Sequence, residues 1–272
     1  MSVLKKNSPC WAQTSSVADR MIARDALAAY LNEYLECDRF NDYAPNGLQV
    51  EGRSELKRIC TAVTASQEAI EEAITQNADA LLVHHGYFWR GEDAVITGMK
   101  RQRIGQLVKH DLNLFAYHLP LDCHLELGNN VCLGKLFEFE EIQAHSVGKT
   151  PNLLWTGKLR TPLSVRELAT DLFKKLQREP LCIPVSTHPI QRVAWCSGGA
   201  QDYIAEAQHL GVDAYLSGEV SERTYHEANE LGVNYFSCGH HATERYGIQA
   251  LGQHLAMKFG VQHQFIDSSN PV

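Results

Sequence analysis

The chain repeats itself, and that repeat constrains its fold more than any other feature. Moving the segment Arg58 to His84 by 134 positions sets it on Arg192 to Gly218, with identities at Arg58/Arg192, Gln67/Gln201, Ile70/Ile204, Glu72/Glu206, Ala73/Ala207, Asp79/Asp213, Ala80/Ala214 and Leu82/Leu216. Both segments read as a short apolar strand, a helix and a second strand: RICTAV, QEAIEEAITQ and DALLV against RVAWCS, QDYIAEAQHL and DAYLS. Strands alternating with helical patterns predict βαβ units around a parallel sheet. The expected fold is therefore α/β, with two related halves and mainly parallel sheets from an internal duplication, plus a small inserted α/β section.

The boundaries follow from where the repeat stops. Residues 1–21 form a polar N-terminal extension, 22–138 the first half, 139–190 an inserted section with its own strand, helix and strand, and 191–272 the second half. A length of 272 residues can bury a large core. The formal net charge of −7 and scattered basic residues are a poor footprint for nucleic-acid binding. No apolar run reaches the length of a membrane span, and no signal-peptide core opens the chain. Eight cysteines without a disulfide rhythm point to a reducing cytoplasm.

The repeat also carries a motif twice, His118-x-x-x-Asp122 and His240-x-x-x-Glu244, at a shift of 122 positions. Imidazole and carboxylate suit a borderline divalent metal, and residues four apart share a helix face. The strand ALLV ends in His84-His85, and the C-terminal ends of parallel strands are where α/β sheets place ligands. Four strand ends thus deliver His84, His85, His118, Asp122, His240 and Glu244 to one edge. That inventory exceeds a single tetrahedral zinc. It suits two divalent ions (Zn, Mn or Fe, which ligand type alone does not separate) bridged by the two-oxygen carboxylate of Glu244 or Asp122. Such a pair supports hydrolytic chemistry on a small-molecule substrate.

The blocks LLVHHGYFWRG, AYHLPLDCHLELGNN, DAYLSGEVSERTYHEA and GHHATERYGIQAL resemble the signature blocks of the NIF-three-like family, from about residue 22 to 270. Bacterial members go by the name GTP cyclohydrolase 1 type 2 homologue. The resemblance implies a dinuclear metal centre and a ring-shaped homohexamer built as a trimer of dimers. By motif it implies the metal ligands His84, His85, Asp122, His240 and Glu244, with Glu244 as the bridge. His118 is absent from that set, which leaves it beside Asp122 or against substrate. Glu219 and His226 of the GEVSERTYH block are candidates, with His118, for acid/base or substrate contacts, and Tyr87 to Arg90 for stacking a flat base. The activity implied is opening of the guanine ring of GTP by metal-activated water. No GxxxxGK[ST] phosphate loop accompanies it. The alternatives are hydrolysis of another small, phosphorylated substrate and a non-enzymatic metal-binding scaffold.

Overall fold

The computed structural model describes residues 20–272; the expected N-terminal extension lies outside the described residues except for Arg20 and Met21. Two sheets form the core. The first has the strands Gln262–Phe265, Arg58–Thr64, Ala80–His85, Asn113–Ala116 and Gly47–Val50, in that order. The second runs Glu140–Val147, Thr150–Leu163, Ile190–Trp195, Ala214–Ser217, Asn234–Ser237 and Leu181–Ile183.

Within each sheet the two strands that the repeat predicts and the strand that follows them pair in parallel. In both halves a strand from upstream pairs antiparallel with the third core strand: Gly47–Val50 against Asn113–Ala116, and Leu181–Ile183 against Asn234–Ser237. The shared residues do the same work twice. Asp79 accepts the backbone N–H groups of Lys57 and Arg58, as Asp213 accepts those of Gln191 and Arg192. Asn113 donates to the Asp79 carbonyl, as Asn234 does to that of Asp213. These bonds satisfy backbone groups that would otherwise be orphaned at the strand starts, which accounts for identity at polar positions that carry no chemistry.

Apolar residues of the core strands alternate between faces, as the strand pleat requires. Ala80 and Leu82 join Leu27, Leu31, Phe115 and Leu251 on one face of the first sheet; Leu81 and Val83 join Ile70, Ala73 and Leu107 on the other. The second sheet is covered in the same way around Trp195 and around Tyr215.

Two connections depart from simple duplication. The inserted section does not stand apart: its hairpin, Glu140–Val147 with Thr150–Leu163, extends the second sheet antiparallel. With Leu181–Ile183 it makes three of that sheet's five pairings antiparallel, so the expectation of mainly parallel sheets holds for the first sheet, antiparallel in one pairing of four, and not for the second. At the other end, the helix His240–Phe259 starts from the second sheet and runs across to the first. There Ile248, Leu251 and Leu255 pack beside Leu27 and Phe115. The last strand, Gln262–Phe265, then pairs in parallel with Arg58–Thr64. The segment from His240 to Val272 thus ties the two halves together and carries His240 and Glu244 to the seam.

Candidate metal centre

At that seam the ends of Ala80–His85 and Asn113–Ala116 meet the first turns of the long helix. Three overlapping groups of ligand-type side chains form there: His84, Asp122 and Glu244; His85, His240 and Glu244; and His84, His85 and His118. Glu244 is shared by the first two, and its oxygens face different ways. Oε1 lies 3.4 Å from His84 Nε2, while Oε2 lies 3.1 Å from His85 Nε2 and 3.0 Å from His240 Nε2. Asp122 Oδ1 is 3.5 Å from His84 Nε2.

These separations match atoms that share a cation. Ligands ~2.1 Å from one ion stand about 3.4 Å apart in a tetrahedron and about 3.0 Å apart in an octahedron. In alignment, though not in every distance, they differ from ordinary hydrogen bonds. His84 Nε2 and Glu244 Oε2 are buried without a hydrogen-bond partner, although each has an oppositely polar atom close by. Close but misaligned lone pairs on buried atoms are the arrangement expected when the common partner is a cation. The donor set therefore fits divalent metal. Among the described residues no cysteine enters these groups.

Each histidine is turned the same way. His84 Nδ1 is 3.0 Å from the Tyr117 carbonyl, His85 Nδ1 3.1 Å from Thr64 Oγ1, His118 Nδ1 2.7 Å from Asp42 Oδ1 and His240 Nδ1 2.7 Å from Glu219 Oε1. Occupying Nδ1 fixes the ring and leaves Nε2 for the centre. Asp122 is anchored through Oδ1, which accepts from Asn129 Nδ2 at 2.9 Å and from Ser197 Oγ at 3.0 Å. Asn129 in turn accepts the backbone N–H of Gly247 in the long helix.

The charges are strongly coupled. Burial resists ionisation of Glu244, yet His84 and His85 hold its carboxyl well below the usual range. Burial likewise resists protonation of His84, but Asp122 and Glu244 push its pKa up to about 10. Glu244 and Glu219 push His240 up to about 9 against the same burial. For His85, burial prevails over Glu244 and the pKa falls. Without metal, protons thus supply part of the positive charge that the carboxylates require.

The sequence of residues 22–271 matches the profile of the family Duf34/NIF3 (NGG1p interacting factor 3). The chain belongs to the Duf34/NIF3 family. A protein of Haemophilus influenzae is 51% identical over 246 residues, covering 90% of this chain and 98% of its own length; one of Allochromatium vinosum is 49% identical over 245 residues, covering 90% and 96%. Both are named GTP cyclohydrolase 1 type 2 homolog. A solved structure called ybgI, described as of unknown function, superimposes with a TM-score of 0.88 at 45% identity, covering 92% of this chain and all of its own.

Within this Duf34/NIF3 chain, the residues singled out from sequence separate into two groups. His84, His85, His118, Asp122, His240, Glu244 and Glu219 are brought together. His226 is not: its side chain is exposed on the helix Glu222–Leu231, with its contacts to Glu222 and Tyr225. Of the aromatic loop, Trp89 alone turns to the cluster, its ring 5.0 Å from that of His118 and 6.0 Å from that of His85. Tyr87 is buried and donates to the Ala65 carbonyl, Phe88 lies under Lys100, and Arg90 donates to Asn41 and to the Asp42 carbonyl. Sequence reasoning missed Asp42, Thr64, Asn129 and Ser197. Asn129 stands inside the quoted block LELGNN; Asp42 lies in a turn-rich stretch outside the repeat and carried no signal.

Proposed function

We propose that this chain is a metal-dependent hydrolase with two divalent ions, and that opening of the guanine ring of GTP is the reaction to test first. The observation that carries the metal assignment is the pair of three-residue sets sharing Glu244: His84 and Asp122 with one oxygen, His85 and His240 with the other. The choice of GTP rests on the name carried by relatives about half identical over nine-tenths of the chain.

When bound, two such ions supply Lewis acidity and hydroxide at neutral pH. The chain's own part is to hold and orient. Glu244 offers its two oxygens to opposite sides, and Asn129 with Ser197 fixes Asp122. Glu219, treated above as a candidate acid/base, is committed to His240 Nδ1 and in this reading keeps that ring in register rather than moving a proton. His118 and Trp89 lie beside His84 and His85 and are the candidate substrate contacts in this reading. The family's ring-shaped hexamer belongs to the same proposal, checked by native mass spectrometry.

The test is metal analysis of the purified protein, followed by a nucleotide hydrolysis screen beginning with GTP. About two ions per chain with nucleotide turnover would sustain the reading. One ion or fewer after reconstitution would sink the dinuclear centre, and two ions without turnover of any nucleotide would sink the activity.

A further inference from the structure

His118 enters the cluster from a backbone that is not helical, with φ −96° and ψ −104°, immediately before the short helix Leu119–Asp122. What holds it there is Asp42. This carboxylate has only 3% of its side chain exposed, and both of its oxygens are fully used. Oδ1 takes His118 Nδ1 at 2.7 Å and the N–H of Tyr43 at 2.6 Å; Oδ2 takes the N–H of Leu119 at 2.9 Å and Asn46 Nδ2 at 2.9 Å. Asn46 Oδ1 completes the clamp by accepting the backbone N–H of His118 at 2.7 Å.

We infer that Asp42 is a positioning residue acting through His118: it keeps the proton on Nδ1, so that Nε2 presents a lone pair to the group that His118 forms with His84 and His85. This rests on the metal-hydrolase reading and assigns a role to a residue that reading leaves out. The chemistry is one of donors and acceptors. Three of Asp42's four partners are N–H groups that can only donate, two of them backbone and one the Asn46 amide. Only His118 can adapt, by moving its proton from one nitrogen to the other. A carboxylate, which only accepts, forces the Nδ1–H form. Glu219 stands in the same relation to His240, from a strand end rather than a turn. The two copies of the repeated motif are therefore held by acidic side chains recruited from unrelated places.

The discriminating variant is Asp42→Asn, which keeps the shape but places an NH₂ group among donors. With its amide oxygen in the Oδ2 position it still accepts from Leu119 and Asn46, and its NH₂, in the Oδ1 position, faces His118 Nδ1 and drives the proton to Nε2 at the cost of the Tyr43 N–H bond. An equivalent exchange at the buried aspartate–histidine pair of serine proteases gives the wrong tautomer and a loss of roughly 10⁴-fold in kcat. The readout is ¹⁵N NMR of the histidine rings in zinc-loaded protein, together with a zinc competition titration. The wild type should show His118 protonated on Nδ1. Asp42→Asn should move that proton to Nε2 while zinc affinity stays within about threefold, because the other rings keep their own Nδ1 partners. On any nucleotide that the wild type turns over, kcat should fall at least 100-fold with KM nearly unchanged.

A wild-type His118 carrying its proton on Nε2 would overturn the inference, even if the variant did not fold. So would an unchanged tautomer in Asp42→Asn, or a collapse of zinc affinity at both sets. Fewer than two zinc ions in the wild type would instead defeat the reading beneath it, a separate outcome in the same titration.

Discussion

The two copies of His-x-x-x-carboxylate share spacing and place in the repeat, yet they are built differently. In the second, His240 and Glu244 both lie in the long helix His240–Phe259, one turn apart on one face, and meet at 3.0 Å. In the first, the helix is only Leu119–Asp122; His118 stands outside it and is clamped by Asp42. The second copy therefore delivers a compact pair and the first delivers two side chains separately. Equal spacing yields equal geometry only where the backbone is helical throughout.

The strand ends differ as sharply. His84 and His85 correspond, at the shift of 134, to Gly218 and Glu219. A Cβ at Gly218 would lie 2.6 Å from the Gly198 carbonyl oxygen and 2.8 Å from His240 Cα, so the second half has no room for a counterpart of His84. Gly198, with φ +64°, similarly leaves space for Glu244 Oε1, which a Cβ there would meet at 2.1 Å. One half thus contributes side chains into a volume that the other half vacates, and a repeated scaffold produces a lopsided site.

The comparison breaks most severely at the carboxylates. Glu244→Gln should lose both ions, because Glu244 serves both sets, whereas Asp122→Asn should lose or weaken only the set built on His84. Metal content by elemental analysis separates the two, and equal loss from both variants would show that the copies are equivalent. Next, Glu219→Gln should weaken metal binding about 10- to 100-fold by freeing the His240 ring; an unchanged zinc titration would show that the ring is held by packing alone.

Gly218→Ala asks whether the asymmetry is steric. Overpacking against backbone costs about 1–3 kcal/mol, so a clear drop in melting temperature is expected, and an unchanged value would remove the steric explanation. The charges give a subtler effect. His84 and His240 have native pKa values of about 10 and about 9, raised from 6.5. Their contribution to the metal-free fold is fully present below pH 6.5 and is lost as pH rises through 9 to 10. Metal-free protein should therefore melt progressively earlier over that alkaline range, while zinc-loaded protein, whose ions replace those protons, should not share the loss. Smallest of all, His226→Ala should leave metal content and melting temperature unchanged, since the ring is exposed and apart from the cluster; a loss of metal would return His226 to the site.

Much of this is legible in the amino-acid sequence. The identities at Asp79/Asp213 and Ala80/Ala214 announced two equivalent strand-helix-strand units, and both sheets are built on them. The strand-end histidines and the motif carboxylates were equally visible, since ligand-type residues following apolar strands are rare enough to stand out. Asp42 was hidden because one aspartate in DRFNDYAPNG looks like any turn-forming residue. Ser197 and Asn129 were hidden because small polar residues carry no pattern. Glu219 and His226 share one block and seemed equally placed, yet one sits at a strand end beside His240 and the other on an exposed helix face.

The sequence by itself determined the repeated strand-helix-strand elements, their order, the duplication and the set of side chains able to hold metal, because strand and helix periodicities and ligand chemistry are local properties; the strands Gly47–Val50 and Glu140–Val147 were not legible there. Tertiary structure alone decided that the insert joins the second sheet and that the last strand joins the first. It also decided that Glu244 divides its oxygens between two sets and that each histidine finds an acceptor for Nδ1. These depend on contacts between residues as far apart as Asp42 and His118 or His85 and Glu244, and nothing in the local pattern of either partner specifies the other.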